Sequence, residues 1–117
     1  MDNEKIYQMD FARIYPLLVN KVVRKGRTPA EADTVIAWLT GYTPDDIARM
    51  AQGGTTYRAF FEEAPCLHPD RHLITGTICG IRVENIADPL MQDIRRLDKL
   101  IDELAKGKPM EKVLRKA

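Results

Sequence analysis

The sequence has little of what usually announces chemistry. Its 117 residues hold two cysteines, Cys66 and Cys79, two histidines, His68 and His72, and a single tryptophan, Trp38. Two thiols in a chain without an export signal point to reduced cysteines rather than a disulfide framework. No apolar run approaches the roughly 18 residues of a membrane-crossing helix, and Met1–Gln8 is polar where a signal peptide would be apolar. A cytoplasmic protein without membrane contact is the expectation. An excess of one charge is also missing, since 18 Lys and Arg against 17 Asp and Glu give a formal net charge of +1. Nucleic acid or anionic lipid would have to be held by a local patch. No glycine-rich phosphate loop of Walker or dinucleotide form precedes a helix, and no acidic pair stands apart from solvated helix surface. No residue is therefore assigned as catalytic or cofactor-binding, and the expectation leans away from an enzyme.

What is present is a chain of 44% hydrophobic and 30% charged residues, ordinary for one folded domain spanning 1–117. Its clearest stretch runs from Gly26 to Gly54. Thr28 is an N-cap, Pro29 fits the first helical position and Glu31 completes a capping box. Ala32, Val35, Ile36 and Leu39 then share one face, and Gly41 suits the left-handed C′ position, so a helix is predicted from Pro29 to near Thr40. The grammar repeats with Thr43, Pro44, Asp45 and Asp46, followed by inward Ile47 and Met50 before Gly53 and Gly54. The result is a helical pair joined by a short turn.

Before this pair, Asp10 caps a helix carrying Phe11, Ile14, Tyr15, Leu18 and Val22 on one face. Pro16 predicts either a kink or a short first turn followed by a new helix from Pro16 to Lys25. The cationic run Lys21, Arg24, Lys25 and Arg27 reads as a favourable helix C-terminus, or as a phosphate-contacting patch. After the pair, Thr55 or Thr56 caps a short helix with Tyr57, Phe60 and Phe61, which join Trp38 and Tyr42 as core aromatics. From Cys66 to Ile86 the pattern is mixed. Its β-branched residues favour a strand, but Gly76 and Gly80 suit a close helix contact, and a helix over Pro69–Cys79 is predicted, ended by Gly80, with Ile81–Ala87 as an extended connector. Asp88 and Pro89 then start a long helix with Leu90, Ile94, Leu97, Ile101 and Leu104 at coiled-coil spacing, too short to stand alone. Asp102 and Lys106 form an i,i+4 pair. Gly107 stops this helix, and Pro109 starts a last short one with Val113 and Leu114, whose basic end should fray.

The opening DNEKIY, the YPLLVNKVVRKGRT run, the WLTGYT turn, the block LITGTICGIRVENIADPLMQDIR and the closing LDKLIDELAKGKPMEKVLRK together resemble the small bacterial proteins of domain of unknown function 2200 (DUF2200). The resemblance covers nearly the whole chain. It implies no activity, substrate or catalytic residue to carry over. Its pattern includes a counterpart of Cys79 within ITGxICGxRV but not Cys66, His68 or His72, which look peculiar to this member.

Cys66, His68, His72 and Cys79 are a chemically sensible tetrahedral zinc set. Their spacing is not a standard zinc pattern, however, and the chain has apolar residues enough for a core without metal. No metal ligand is assigned; Cys79 is read as a small buried residue, with the histidines exposed. A Cys–His nucleophile lacks an orienting third group.

The central pair also has the spacing of a helix-turn-helix, through Ala37, Gly41, Ile47 and Met50. Its second helix starts Pro44-Asp45-Asp46 and offers only Arg49 as a cation, which sets carboxylates against phosphate. The sequence therefore predicts an all-α bundle of about five to seven short helices with a long C-terminal helix. Its expected role is a non-catalytic interaction module, a homodimer or a partner of another protein, with a helix-turn-helix-like nucleic-acid-binding protein as the alternative. The Leu90–Leu104 stripe and the Gly76/Gly80 face are the motive for self-association.

Overall fold

In a computed structural model of the protein, which describes residues 3–117, seven helices surround one apolar cluster. They are α1 (Asn3–Tyr7), α2 (Phe11–Val23), α3 (Pro29–Thr40), α4 (Pro44–Met50), α5 (Tyr57–Glu62), α6 (Pro89–Ala105) and α7 (Met110–Val113). Two short strands, β1 (Thr77–Ile78) and β2 (Ile81–Arg82), pair antiparallel between α5 and α6. The long α6 is the axis, packed most extensively against α2 and α3.

Local cap chemistry accounts for the helix boundaries. Both Thr28 with Glu31 and Thr43 with Asp46 form complete capping boxes, and each helix has its proline in the first turn. Asp10, Thr56 and Asp88 cap α2, α5 and α6. Gly41 ends α3 at φ 82°. No other residue fits there, because a Cβ on Gly41 would lie 2.8 Å from the backbone nitrogen of Cys66. That close approach lets the Cys66 and His68 N–H groups donate to the carbonyls of Thr40 and Leu39, closing the end of α3.

Every apolar position assigned to α3 is buried: Ala32, Val35, Ile36 and Leu39 are inaccessible. On α6 the buried stripe is broader than the predicted seam. Met91, Leu100 and Ala105 join Ile94, Leu97, Ile101 and Leu104, while Leu90 is only half-buried. The stripe expected to invite a second copy is thus consumed within the monomer. Phe11, Phe60, Phe61, Tyr57 and Tyr42 form an aromatic centre, with Phe11 and Phe60 stacked at 4.2 Å between centroids.

Three expectations need correction. Of the two outcomes expected at Pro16, the restarted helix is the one that fails: α2 runs unbroken from Phe11 to Val23, with Pro16 on its exposed side, where water can take up the carbonyl left without a donor. The predicted helix over Pro69–Cys79 is instead a 3-10 turn at Pro69–Leu73 followed by the β1–β2 hairpin. Cys79 and Gly80 occupy the hairpin turn at φ 52° and 78°, the paired left-handed geometry of a type I′ turn. Gly76 and Gly80 therefore form no helix face, and Ile81–Ala87 is part strand and part 3-10 turn rather than a plain connector. The basic end of the chain is also anchored. Arg115 grips the buried Glu103 of α6 through both carboxylate oxygens, at 2.6 and 2.8 Å.

Candidate functional site

The four sulfur and imidazole side chains are not brought together. His68 accepts a hydrogen bond from the Asp70 N–H at 3.0 Å and stacks on Trp38 at 4.1 Å, while the His72 ring bonds the Pro69 carbonyl oxygen. Cys66 and Cys79 are both free and exposed, so Cys79 is not the buried residue the sequence implied. Among the described residues no group of three or more His, Cys, Asp or Glu is placed to hold a metal ion. The cationic run is likewise divided. Lys21 pairs with Asp102, and Arg27 pairs with Glu31 and bonds the carbonyls of Leu104 and Lys108, so both cations tie α2 and α3 to α6. On the helical pair, Arg49, the one cation α4 presents, is largely exposed and pairs with Asp46 at 3.0 Å.

The arrangement that stands out lies around Arg95. Two cavities meet at this residue. The larger, about 510 Å³, is lined by Asn3, Cys79, Ile81, Ile86, Met91 and Arg95. The other, about 260 Å³, is lined by Ile6, Met9, Ile14, Leu17, Leu18, Tyr57, Ile94, Arg95 and Asp98. Their rims carry exposed apolar side chains: Leu17 is 62% accessible and Ile81 47%. Elements far apart in sequence build this face: α1 and α2 supply one wall, the hairpin another, and the first half of α6 the floor between them.

The polar groups there are unusual. Arg95 donates to Asp98 at 3.0 Å, yet its Nε is buried with no partner, and so is the hydroxyl of Tyr57. Buried polar atoms are normally paired, because leaving one unpaired costs about 1–3 kcal/mol. Burial pushes the Tyr57 phenol well above its ordinary value; Asp98 pushes the same way and Arg95 opposes. Burial also raises the Asp98 carboxyl, against the lowering pull of Arg95 and Lys21. A raised carboxyl gives stability that is whole below the unfolded-state value, about 3.9, and is lost as pH rises through the folded-state value. Relative to Asp98→Asn, the native protein is therefore expected to lose stability across that interval and hold a constant difference above it. Urea denaturation of both proteins at stepped pH measures this; a difference flat from pH 3 upward would show that Asp98 is not held in a desolvating site.

A third concavity, lined by Phe61, Glu62, Leu67, Pro89, Leu90 and Asp93, has its buried carboxylate already committed. Asp93 accepts from Arg71 at 3.0 Å and from Arg96 at 2.9 Å. It is a structural tie between the 3-10 turn and α6. Of this face the sequence had assigned Ile14, Leu18, Tyr57 and Ile94 to the apolar interior, and had singled out neither Arg95 nor Asp98.

No curated protein matches the chain. A crystal structure titled as that of uncharacterized protein SP1917 superposes with a TM-score of 0.91 at 50% identity, covering 97% of this chain and 93% of that one. No helix among the described residues is long and apolar enough to cross a membrane. The sequence profile of the uncharacterized proteins conserved in bacteria grouped as DUF2200 matches residues 5–115, and with the resemblance carried by nearly every element described above, the chain belongs to that family.

Proposed function

We propose that this protein is a non-catalytic interaction module whose working surface is the double cavity around Arg95. The observation that carries this reading is the coincidence of Leu17 and Ile81, two of the most exposed large apolar residues, on the rims of cavities that share one half-buried arginine. Exposed apolar groups gathered at a concavity favour association. A second copy of the chain is the simplest partner. An isologous contact would set the Leu17 rim of one copy on the Ile81 rim of the other and cover both. Most of the Leu90–Leu104 stripe is spent in the core, with Ile94 reaching the wall of the smaller cavity.

Light scattering coupled to size exclusion tests the proposal. A mass rising toward twice 13.3 kDa over micromolar concentrations is expected, and Leu17→Asp, which sets a carboxylate on an already exposed position, should return the protein to monomer without lowering its melting temperature. A monomer at all those concentrations would remove self-association. The nucleic-acid alternative would rest on Arg49, the one cation of α4, beside Asp45 and Asp46 on the same short helix.

A further inference from the structure

Between Asp10 and Glu31 the chain carries five cations and no acid, an imbalance hidden within a formal net charge of +1. The structure sets part of it on the outer face of α2. Arg13, Pro16, Leu17, Asn20, Val23 and Arg24 are all exposed, opposite the buried Phe11, Ile14, Leu18 and Val22. Lys21 and Arg27 are paired with Asp102 and Glu31. Among the described residues no carboxylate meets Arg13, Arg24 or Lys25, and Arg24 Nε donates only to the Asn20 carbonyl of its own helix. The carbonyl end of α2 carries about half a negative charge, which accounts for one cation there at most. Arg13 lies in the first turn, where the dipole disfavours a cation, so the helix itself gives no reason for it. Leu17 and Val23, 62% and 44% accessible, are two of the four large apolar residues exposed among the described residues, and both fall between the two arginines.

We propose that this face of α2 lies on an anionic membrane surface, with the helix axis in the plane of the bilayer. Arg13 and Arg24, roughly 16 Å apart at about 1.5 Å per residue, take lipid headgroups at either end with Lys25, while Leu17 and Val23 enter the interface between them. The surface differs from the Arg95 cavities, with Leu17 alone on both. Net charge gave no reason to expect a membrane contact; the distribution of charge does. Nucleic acid or an acidic protein would satisfy the cations as well, but would set two aliphatic side chains against charged groups. A bilayer offers headgroup charge and apolar depth in the order that α2 presents their complements. A second copy does not suit this face, because a two-fold contact would bring arginines together with no acid between them. The helix lies on the membrane rather than crossing it, since none among the described residues is long and apolar enough to span one.

Co-sedimentation of the full chain tests this, with vesicles of phosphatidylcholine containing roughly one third phosphatidylserine and with vesicles of phosphatidylcholine alone. Only the anionic vesicles should bind it. Binding should fall steeply as salt rises from about 0.1 M to about 1 M, where the screening length shrinks from roughly 10 Å to roughly 3 Å. Arg24→Glu with Lys25→Glu should weaken it by at least about 30-fold, as expected for reversing two charges beside the surface. Leu17→Ser with Val23→Ser changes no charge and should weaken it by about 10-fold. All four positions are exposed, so both double variants should keep the native melting temperature. No binding to anionic vesicles, equal binding to neutral ones, or undiminished affinity in the double serine variant would overturn the proposal. Tighter binding of a short DNA duplex than of the vesicles, unchanged in the serine variant, would also overturn it, in favour of a phosphate-backbone contact.

Discussion

Replacing Phe60 with alanine is expected to cost about 3–5 kcal/mol, the largest loss from any single truncation in this protein. Phe60 is inaccessible and stacks on Phe11 at 4.2 Å, with Tyr42 at 5.1 Å, Phe61 at 5.1 Å and Tyr57 at 6.0 Å. Its ring therefore touches α2, α5 and the α3–α4 turn at once. Removing it leaves a cavity that the four remaining aromatic rings cannot collapse into, because each is fixed by the others and the Tyr42 hydroxyl is tied to the Phe60 carbonyl at 2.8 Å. Set against a total stability of about 5–15 kcal/mol, the loss should lower the melting temperature by about 10–25 °C. Calorimetry measures it, and a loss under about 1 kcal/mol would place the aromatic centre outside the cooperative core.

Asp93→Ala is expected to follow closely, at about 3–5 kcal/mol. Asp93 is 7% exposed and is the shared acceptor for Arg71 Nε and Arg96 Nη1. Alanine would strand two guanidinium groups, one of which already has a buried Nε without a partner. The damage comes less from the lost attraction than from the charges left behind. Asp93→Asn keeps an acceptor oxygen and should lose distinctly less. Urea denaturation should show a fall in midpoint with little change in slope for both. Equal stability of Asp93→Ala and the native protein would mean that the two arginines are solvated, not held.

The parts of the fold that were legible in the sequence are those set by nearest neighbours in the chain. Thr28 and Glu31 lie three residues apart, as do Thr43 and Asp46, and each pair carries its own instruction for starting a helix. Gly41 carries the instruction to stop. The hairpin was illegible because its turn is Cys79-Gly80, where the usual cue would be Asn-Gly or Asp-Gly. A cysteine at φ 52° is held there by the pairing of Ile78 with Ile81 and not by its own preference. The anchored tail was missed for a related reason. Arg115 looks like one more terminal cation until Glu103, on the buried side of α6, is seen to be its acceptor.

The Arg95 face was hidden by distance. Leu17, Tyr57, Ile81 and Arg95 come from four elements, and no spacing rule connects them. Arg95 and Asp98, three apart on α6, look like a surface ion pair of little worth. What changes their meaning is the company they keep: α1, α2 and the hairpin close around them and shut out water from one side.

The most direct test of this account is the concentration dependence of the amide spectrum, recorded from dilute to millimolar protein without added ligand. The account predicts that the signals that move are those of the middle of α2 around Leu17, the hairpin at Ile81 and the first half of α6 around Arg95. Movement confined to α4, around Ala48 and Arg49, or a spectrum that does not change at all, would contradict it.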